Sequence, residues 1–371
     1  MRLVVFKFKL YTEMRMKNFL LLFLLSVTAS AQIRKYSNDF LEIGVGAQSL
    51  GTGNSVIATT RGVQAAYWNP AGLSRPGKAN MEAALMHSEY FAGLSKYDYA
   101  AFSKTIDSTS SFAISAIRLA VDDIPNTLDL IDANGAIDYS RVTRFSAADY
   151  GFLFSYGKRL KIKGLSLGGS AKIIHRKVGS FAKANGFGID FGLQYQKGAW
   201  HFGLMAKDVT TTFNAWTFNL TEKEKQQLII TGNDIPKNSI ELTEPKLILA
   251  AAYKYNHNKL SILAEGNFIN TFFGQRNSII SSDHWNLDPR VGLQIGYAET
   301  VWLRGGIGNI QQTIQENNIK QQVIQPNIGA GFKIPIKNYT NVYVDYAFAN
   351  VGQQVGLLSH IFSLRAEIFK Q

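Results

Sequence analysis

The chain of 371 residues has no cysteine. A disulfide scaffold, thiolate metal sites, a cysteine nucleophile and a lipid-modified N-terminal cysteine are therefore excluded. Long apolar runs are missing too: 46% of residues are hydrophobic, yet mean hydropathy is −0.05. The six histidines (His87, His175, His201, His257, His284, His360) lie scattered without the spacing of zinc ligands. The acidic stretch 129-DLIDANGAID-138 carries Asp132, Asn134 and Gly135 in the manner of a calcium loop. Leu130 falls where an earlier oxygen ligand is needed and Arg141 where the bidentate acid belongs, so the spacing fails. The glycines of 44-GVGAQSLGTG-53 do not make a phosphate-cradling G-x-G-x-x-G between a strand and a helix. No nucleophile and base stand together, and no basic run is interleaved with aromatics. The sequence gives no ground for an enzyme, a metal, a cofactor or a nucleic-acid partner.

Present instead are 32 glycines, 16 tyrosines and 24 phenylalanines, a composition that leans towards β-structure with many turns and aromatic belts. At this length one large barrel is as compatible as two domains. The N-terminus reads as an export signal over residues 1–31, with a tidier start at Met14 or Met16. Met16-Lys17-Asn18 supplies the positive start, Phe19 to Val27 the apolar core, and 29-ASA-31 the small-residue cleavage site before Gln32. That core is far shorter than the roughly 20 residues a membrane-spanning helix needs. Of the 39 Lys/Arg and 27 Asp/Glu, five and one fall in the signal; the remaining 34 and 26 leave a net charge of +8. Such mild basicity favours anionic lipid headgroups or acidic partners.

From about Asn80 the chain repeats one pattern, alternating apolar with small or polar side chains. In 186-GFGIDFGLQYQ-196, Phe187, Ile189, Phe191, Leu193 and Tyr195 share one face, and Gly186, Gly188, Asp190, Gly192 and Gln194 the other. The same division recurs in 290-RVGLQIGY-297, 324-IQPNIGAGFKI-334 and 361-IFSLRAEIF-369. Fourteen such segments are found: 80–91, 96–106, 110–121, 144–159, 164–178, 184–197, 199–209, 246–256, 259–270, 286–298, 300–310, 320–333, 338–349 and 357–369. Short turns such as 160–164, 196–200, 256–259, 297–300 and 334–338 follow every second segment. The intervening connections 122–143, 210–245, 271–285 and 311–319 are long. Sorting of loops by parity is what a barrel shows when one end faces the periplasm and the other the exterior. A sandwich or soluble barrel, with its apolar face inward, also alternates. Strand length, glycine-rich polar faces and tyrosines near strand ends favour the membrane barrel, whose open edges must close. The fold expected is all-β: a closed antiparallel transmembrane β-barrel of about fourteen strands over residues 80–371, with both termini at the short-turn end.

In the longest loop, 221-TEKEKQQLI-229 has helical composition, and Phe213, Trp216 and Phe218 lie beyond the expected strand end. They read either as an outer aromatic girdle or as an apolar anchor for a partner protein. Asp122, Asp123, Asp129 and Asp132 in a neighbouring loop are secondary candidates for contact.

Several stretches carry a family resemblance: 40-FLEIGVGAQSLGTGNSVIATTRGVQAAYWNPAGLS-74, 124-IPNTLDL-130, 145-FSAADYGFLFSYGK-158, 181-FAKANGFGIDFGLQY-195, 208-DVTTTFNAWTFN-219 and 303-LRGGIGNIQ-311. The chain resembles the PorV/PorQ family of FadL-like outer-membrane barrels of Bacteroidota, nearest to a PorV-like paralogue branch. The C-terminus departs from the usual barrel ending, since Lys370 and Gln371 follow the last aromatic, Phe369. The resemblance implies a Gram-negative outer-membrane location and a role in type IX protein secretion. Its partners would be translocon or attachment-complex proteins, the C-terminal domains of secreted cargo, and outer-membrane lipid. The competing reading is a FadL-like channel for small hydrophobic molecules, against which the polar, glycine-rich inward faces argue mildly.

Residues 32–79 would then form a hatch in the lumen. A fourteen-strand barrel leaves a space its own side chains cannot fill, and a sharp corner lets a plug meet the first strand. Pro70 fixes its own φ and forces Asn69 away from helix. Tyr67 and Trp68 are bulky enough to wedge against the wall, and Asn69 can satisfy backbone groups in the turn. Tyr67, Trp68, Asn69 and Pro70 are read as structural.

Overall fold

The computed structural model describes residues 37–74, 79–90, 93–131, 135–314, 320–336, 339–350 and 358–369. The export signal expected over residues 1–31 and the candidate Asp132 lie outside them. The strands begin with β1 Ala79–Tyr90, β2 Ser95–Thr105, β3 Ser110–Asn126, β4 Thr143–Arg159, β5 Leu165–Val178, β6 Ala182–Lys197 and β7 Trp200–Lys207. Next come β8 Phe213–Phe218, β9 Ser239–Leu242, β10 Lys246–His257, β11 Leu260–Thr271, β12 Ile280–Ser281 and β13 Asn286–Tyr297. The series ends with β14 Val301–Ile314, β15 Lys320–Ile336, β16 Thr340–Asn350 and β17 Leu358–Phe369.

Fourteen of these strands make a closed antiparallel ring. Each pairs with its sequence neighbour, β7 pairs with β10, β11 with β13, and β17 returns to β1 with Leu85 opposite Leu364. The three others lie on the ring: β8 pairs with β6, β9 with β8, and β12 with β13. At one end every connection is two to five residues long. Gly198 and Asn258, with φ of 60° and 52°, take the left-handed conformation that two-residue hairpins require. The opposite end holds the 208–245 and 272–285 connections, but β1 and β2 are only four residues apart and β5 and β6 three, so its loops are not uniformly long.

The polarity of the wall is inverted relative to a soluble protein. On β6 the apolar face points out and the polar face in: Phe191 is 54% exposed and its neighbour Asp190 1%. Phe152, Phe154, Leu249, Leu303, Ile328 and Leu364 are likewise exposed, whereas Ser155, Ser170, Gln194, Asn267 and Arg304 are buried. A soluble barrel would reverse this arrangement. Water cannot satisfy such a surface; a hydrocarbon layer can.

The 208–245 connection is more ordered than its length suggests. Its helix, Glu222–Ile230, starts with a capping box in which Thr221 and Glu224 exchange side-chain and backbone hydrogen bonds. Its β8 and β9 continue the wall above β7 and β10, after an interruption at 208–212 and 243–245. Leu364→Arg, at mid-height on the outward face of β17, is expected to lower the unfolding free energy by about 2–4 kcal/mol. Reversible denaturation in lipid vesicles reads this directly, with Ser108→Arg in an exposed turn as the neutral control.

Candidate functional site: the occupied lumen

Residues 37–74 are almost wholly buried, and their polar contacts are made to inward-facing groups of strands all round the ring. Tyr97 of β2 donates to the Phe40 carbonyl (3.1 Å), and Ala47 N–H donates to Ser363 of β17 (3.1 Å). Ala58 N–H donates to Glu265 of β11 (2.7 Å), and Val63 N–H to Glu82 of β1 (3.0 Å). Ser155 and Ser170, on β4 and β5, both donate to the Ala66 carbonyl. Between Gln48, Thr52, Ser55 and Glu265 a cavity of about 20 Å³ remains, room for a single water.

The Asn-Pro corner shows how close this approach is. Pro70 ends the short helix Ala65–Trp68, and Asn69 is extended at φ −160° and ψ 103°, as a residue before proline must be. Asn69 donates through Nδ2 to the carbonyls of Ile57, Leu193 and Leu204 (3.0, 3.2 and 3.3 Å) and accepts from Ala71 N–H (3.2 Å). One side chain thus ties the segment to itself and to β6 and β7. The wall beneath is glycine: a Cβ on Gly157 or Gly168 would collide with Pro70, and one on Gly192 with the Asn69 amide. Gly203, Gly306 and Gly329 likewise make room for Ala58, Thr52 and Gly51. The inward glycines do not widen an empty lumen; they receive a second backbone.

Tyr67 and Trp68 share one buried apolar cluster with wall residues such as Met86, Tyr97 and Ile117. Their polar atoms turn back into the segment, Tyr67 Oη donating to the Leu41 carbonyl (2.5 Å) and Trp68 Nε1 to the Val45 carbonyl (2.9 Å). The two rings meet edge to face at 4.8 Å. Lys207 Nζ of the wall lies 4.9 Å from the Tyr67 ring centre. Burial pushes the Tyr67 phenol up to about 12, so it stays a hydrogen-bond donor. The hydrogen bonds of the bulky pair stay within the segment, whereas those of Asn69 beside it also reach the wall.

A buried charge cluster lies beside Tyr67. Glu42 bridges Lys246 (2.9 Å) and Lys207 (3.5 Å). Lys172 joins Asp190 (2.8 Å) and Asp208, which also accepts from Thr212 (2.5 Å), while Asp208 N–H donates to Asp190 (2.7 Å). Three lysines thus meet three carboxylates. Burial alone would raise the Glu42 carboxyl, but Lys207 and Lys246 hold it well below the usual carboxylate range. Sequence reasoning missed this cluster; its only signal was charge at inward positions such as Lys172 and Asp190.

The candidates for partner contact do not converge. Phe213, Trp216 and Phe218 lie in β8 rather than in a loop, because β8 pairs residue for residue with the upper half of β6. Phe213 faces outward opposite Phe187, whereas Trp216 alternates to the other face and stacks on Phe218 at 6.2 Å with Arg176 5.1 Å from its ring. Asp122 and Asp123 fall in a bulge of β3, on Lys96 (3.0 Å) and Arg144 (3.9 Å) respectively; Asp129 meets Lys223 of the helix (2.7 Å). The same connection grips the start of the segment: Asn214 donates to Ser37 and Asn38 (2.6 and 2.7 Å), and Asn38 donates to Thr243 (2.7 Å).

Gly168→Ala is expected to displace the Pro70 corner and cost about 1–3 kcal/mol, the range for overpacking a filled site. Limited proteolysis after Arg61 should speed up in this variant and stay unchanged for Gly305→Ala, where a Cβ meets nothing.

No family model matches the sequence, and no curated protein matches it. Solved structures do. The toluene transporter TbuX of Ralstonia pickettii aligns over 88% of this chain and 99% of its own, at 14% identity and TM-score 0.53. The toluene transporter TodX of Pseudomonas putida aligns over 87% and 96%, at 15% and 0.53. The CymD monoaromatic hydrocarbon channel aligns over 89% and 98%, at 12% and 0.54. At such identities the likeness is one of fold, and that fold is the closed fourteen-strand antiparallel barrel.

Proposed function

We propose that the protein is an outer-membrane channel for small hydrophobic molecules, with residues 37–74 as the hatch of its lumen and both termini towards the periplasm. The observation that carries this is the interruption of the wall between β7 and β8. Phe191 pairs with Ala206 and Phe187 with Phe213, but the pairs leave three residues of β6 facing six of the other strand. Val209 N–H donates to the Ile189 carbonyl (2.9 Å) in this gap. On the lipid side Phe187, Phe191, Val209 and Phe213 are all exposed; on the lumen side Asp208 and Thr212 close against Lys172 and Gly188. An apolar mouth on the membrane face, latched by polar groups within, suits a hydrophobic molecule leaving sideways into lipid. An axial route suits it less, because Arg304–Asp345 (2.6 Å) and Arg290–Asp288 (3.0 Å) line the lumen. The fold likeness to two toluene transporters and a monoaromatic hydrocarbon channel supports the reading.

A second reading, the shuttle or attachment role in type IX secretion that the family resemblance implies, is favoured by a different observation. Ile229, Ile230 and Ile240 are more than half exposed on the 208–245 connection, as a surface for translocon, attachment-complex or cargo proteins would be. Recovery of such proteins with the barrel from native membranes would support it.

The cysteine-free chain makes the lateral route directly testable. In liposomes, protein-dependent uptake of toluene is expected, and an Ile189→Cys/Val209→Cys disulfide should abolish it until reductant is added. Uptake unaffected by the disulfide would remove the lateral route. No protein-dependent uptake in either form would remove the channel.

A further inference from the structure

We propose that the outward face of β5 and β6, at the end bearing the long loops, binds the phosphate of a membrane lipid through Lys177 and Lys183. The two lysines are directly opposite each other in the β5–β6 register, and both are exposed. Like charges so placed repel across a sheet, and neither side chain has an ion-pair or hydrogen-bond partner among the described residues. Their lateral neighbours on the same face are Ala148 of β4 and Thr217 of β8; Arg144 lies above, and Tyr150, His175 and Asn185 below. At the upper edge of the patch Asp123 lies 3.9 Å from Arg144, while Asp149 and Asp190 alternate to the lumen side, and among the described residues no acidic group is paired with either lysine.

The neighbouring strands behave differently. On the outward face of β1–β3, Asp98 accepts from Arg118 (3.0 Å) and contacts His87 (2.7 Å), while Lys96 is paired with Asp122. Charge there is neutralised within the protein; on β5 and β6 it is left for something outside. Below the lysines, beyond His175 and Asn185, come Ile173 and Phe187, exposed apolar side chains of the membrane belt. Phosphate on the two ammonium groups with acyl chains along Ile173 and Phe187 satisfies both chemistries at once, which neither free phosphate nor an acidic polypeptide does. The proposal rests on the outer-membrane reading above, which puts this end in the outer leaflet.

The test compares bis-phosphorylated lipid A with its dephosphorylated form, each titrated into the detergent-solubilised protein and read by native mass spectrometry. The wild type is expected to retain the phosphorylated lipid about tenfold or more better than the dephosphorylated one. K177Q/K183Q should lose that preference, K177R/K183R should keep it, and K96Q should bind as the wild type. Equal retention by K177Q/K183Q and wild type would overturn the proposal, as would displacement of the lipid by millimolar inorganic phosphate or binding of polyglutamate alone. Toluene uptake by K177Q/K183Q should equal that of the wild type, so a failed channel and a failed lipid site give different results.

Discussion

Everything in this molecule depends on β17 finding β1. Within hydrocarbon an unpaired backbone N–H or carbonyl costs several kcal/mol, and no water is there to take it. A sheet of fourteen strands with two open edges would carry a row of such groups on each. The pairing that runs from Ala83 opposite Ala366 through His87 opposite Phe362 removes both edges together. Once the ring is closed the side chains have only two destinations, and the inverted polarity of each strand follows.

Closure then creates the problem that residues 37–74 solve. A ring of this size encloses polar groups with nothing to bond, and the segment supplies both partners and volume. It can do so only because its backbone comes within contact of the wall, and Gly157, Gly168 and Gly192 permit this under the Pro70 corner. The fixation is apolar and polar together: Val45, Leu50 and Ile57 share one buried cluster with wall residues such as Tyr97, Ile117 and Met205. Glu42 holds Lys207 and Lys246, Glu82 and Glu265 hold backbone amides, and Asn69 holds two strand carbonyls. The start of the segment is gripped by Asn214 and Thr243, which belong to the connection exposed at the far end. An event at that surface therefore has a covalent and hydrogen-bonded path to the lumen.

The ring strands were legible because membrane strands must alternate: Phe187 to Tyr195 could be assigned to one face from the sequence and lie on it. The strand β8 was not, since Phe213, Trp216 and Phe218 break the pattern by dividing between faces of mixed polarity. What makes 213–218 a strand is the upper half of β6, a partner the local sequence does not reveal. The extension of β3 to Asn126 was hidden for a related reason, as the bulge at Asp122 and Asp123, with Asp123 at φ 58°, interrupts the period. The Asn-Pro corner could be read as structural from its residue types, but the partners of its side chains could not. Trp68 and Tyr67 find partners inside the segment, and only the fold brings Leu41 and Val45 to them. The charge cluster joins the segment, four strands and the 208–245 connection, and its only local signature was charge at inward positions.

The most direct measurement is disulfide formation between the first and last ring strands. Ala83→Cys and Ala366→Cys are opposite one another on the outward face, and the chain offers no other thiol. Ring closure predicts that this pair links on mild oxidation in the native membrane, while Ala83→Cys with Leu364→Cys, two residues out of register, does not. Failure of the in-register pair to link in protein that remains membrane-embedded would contradict the closed barrel.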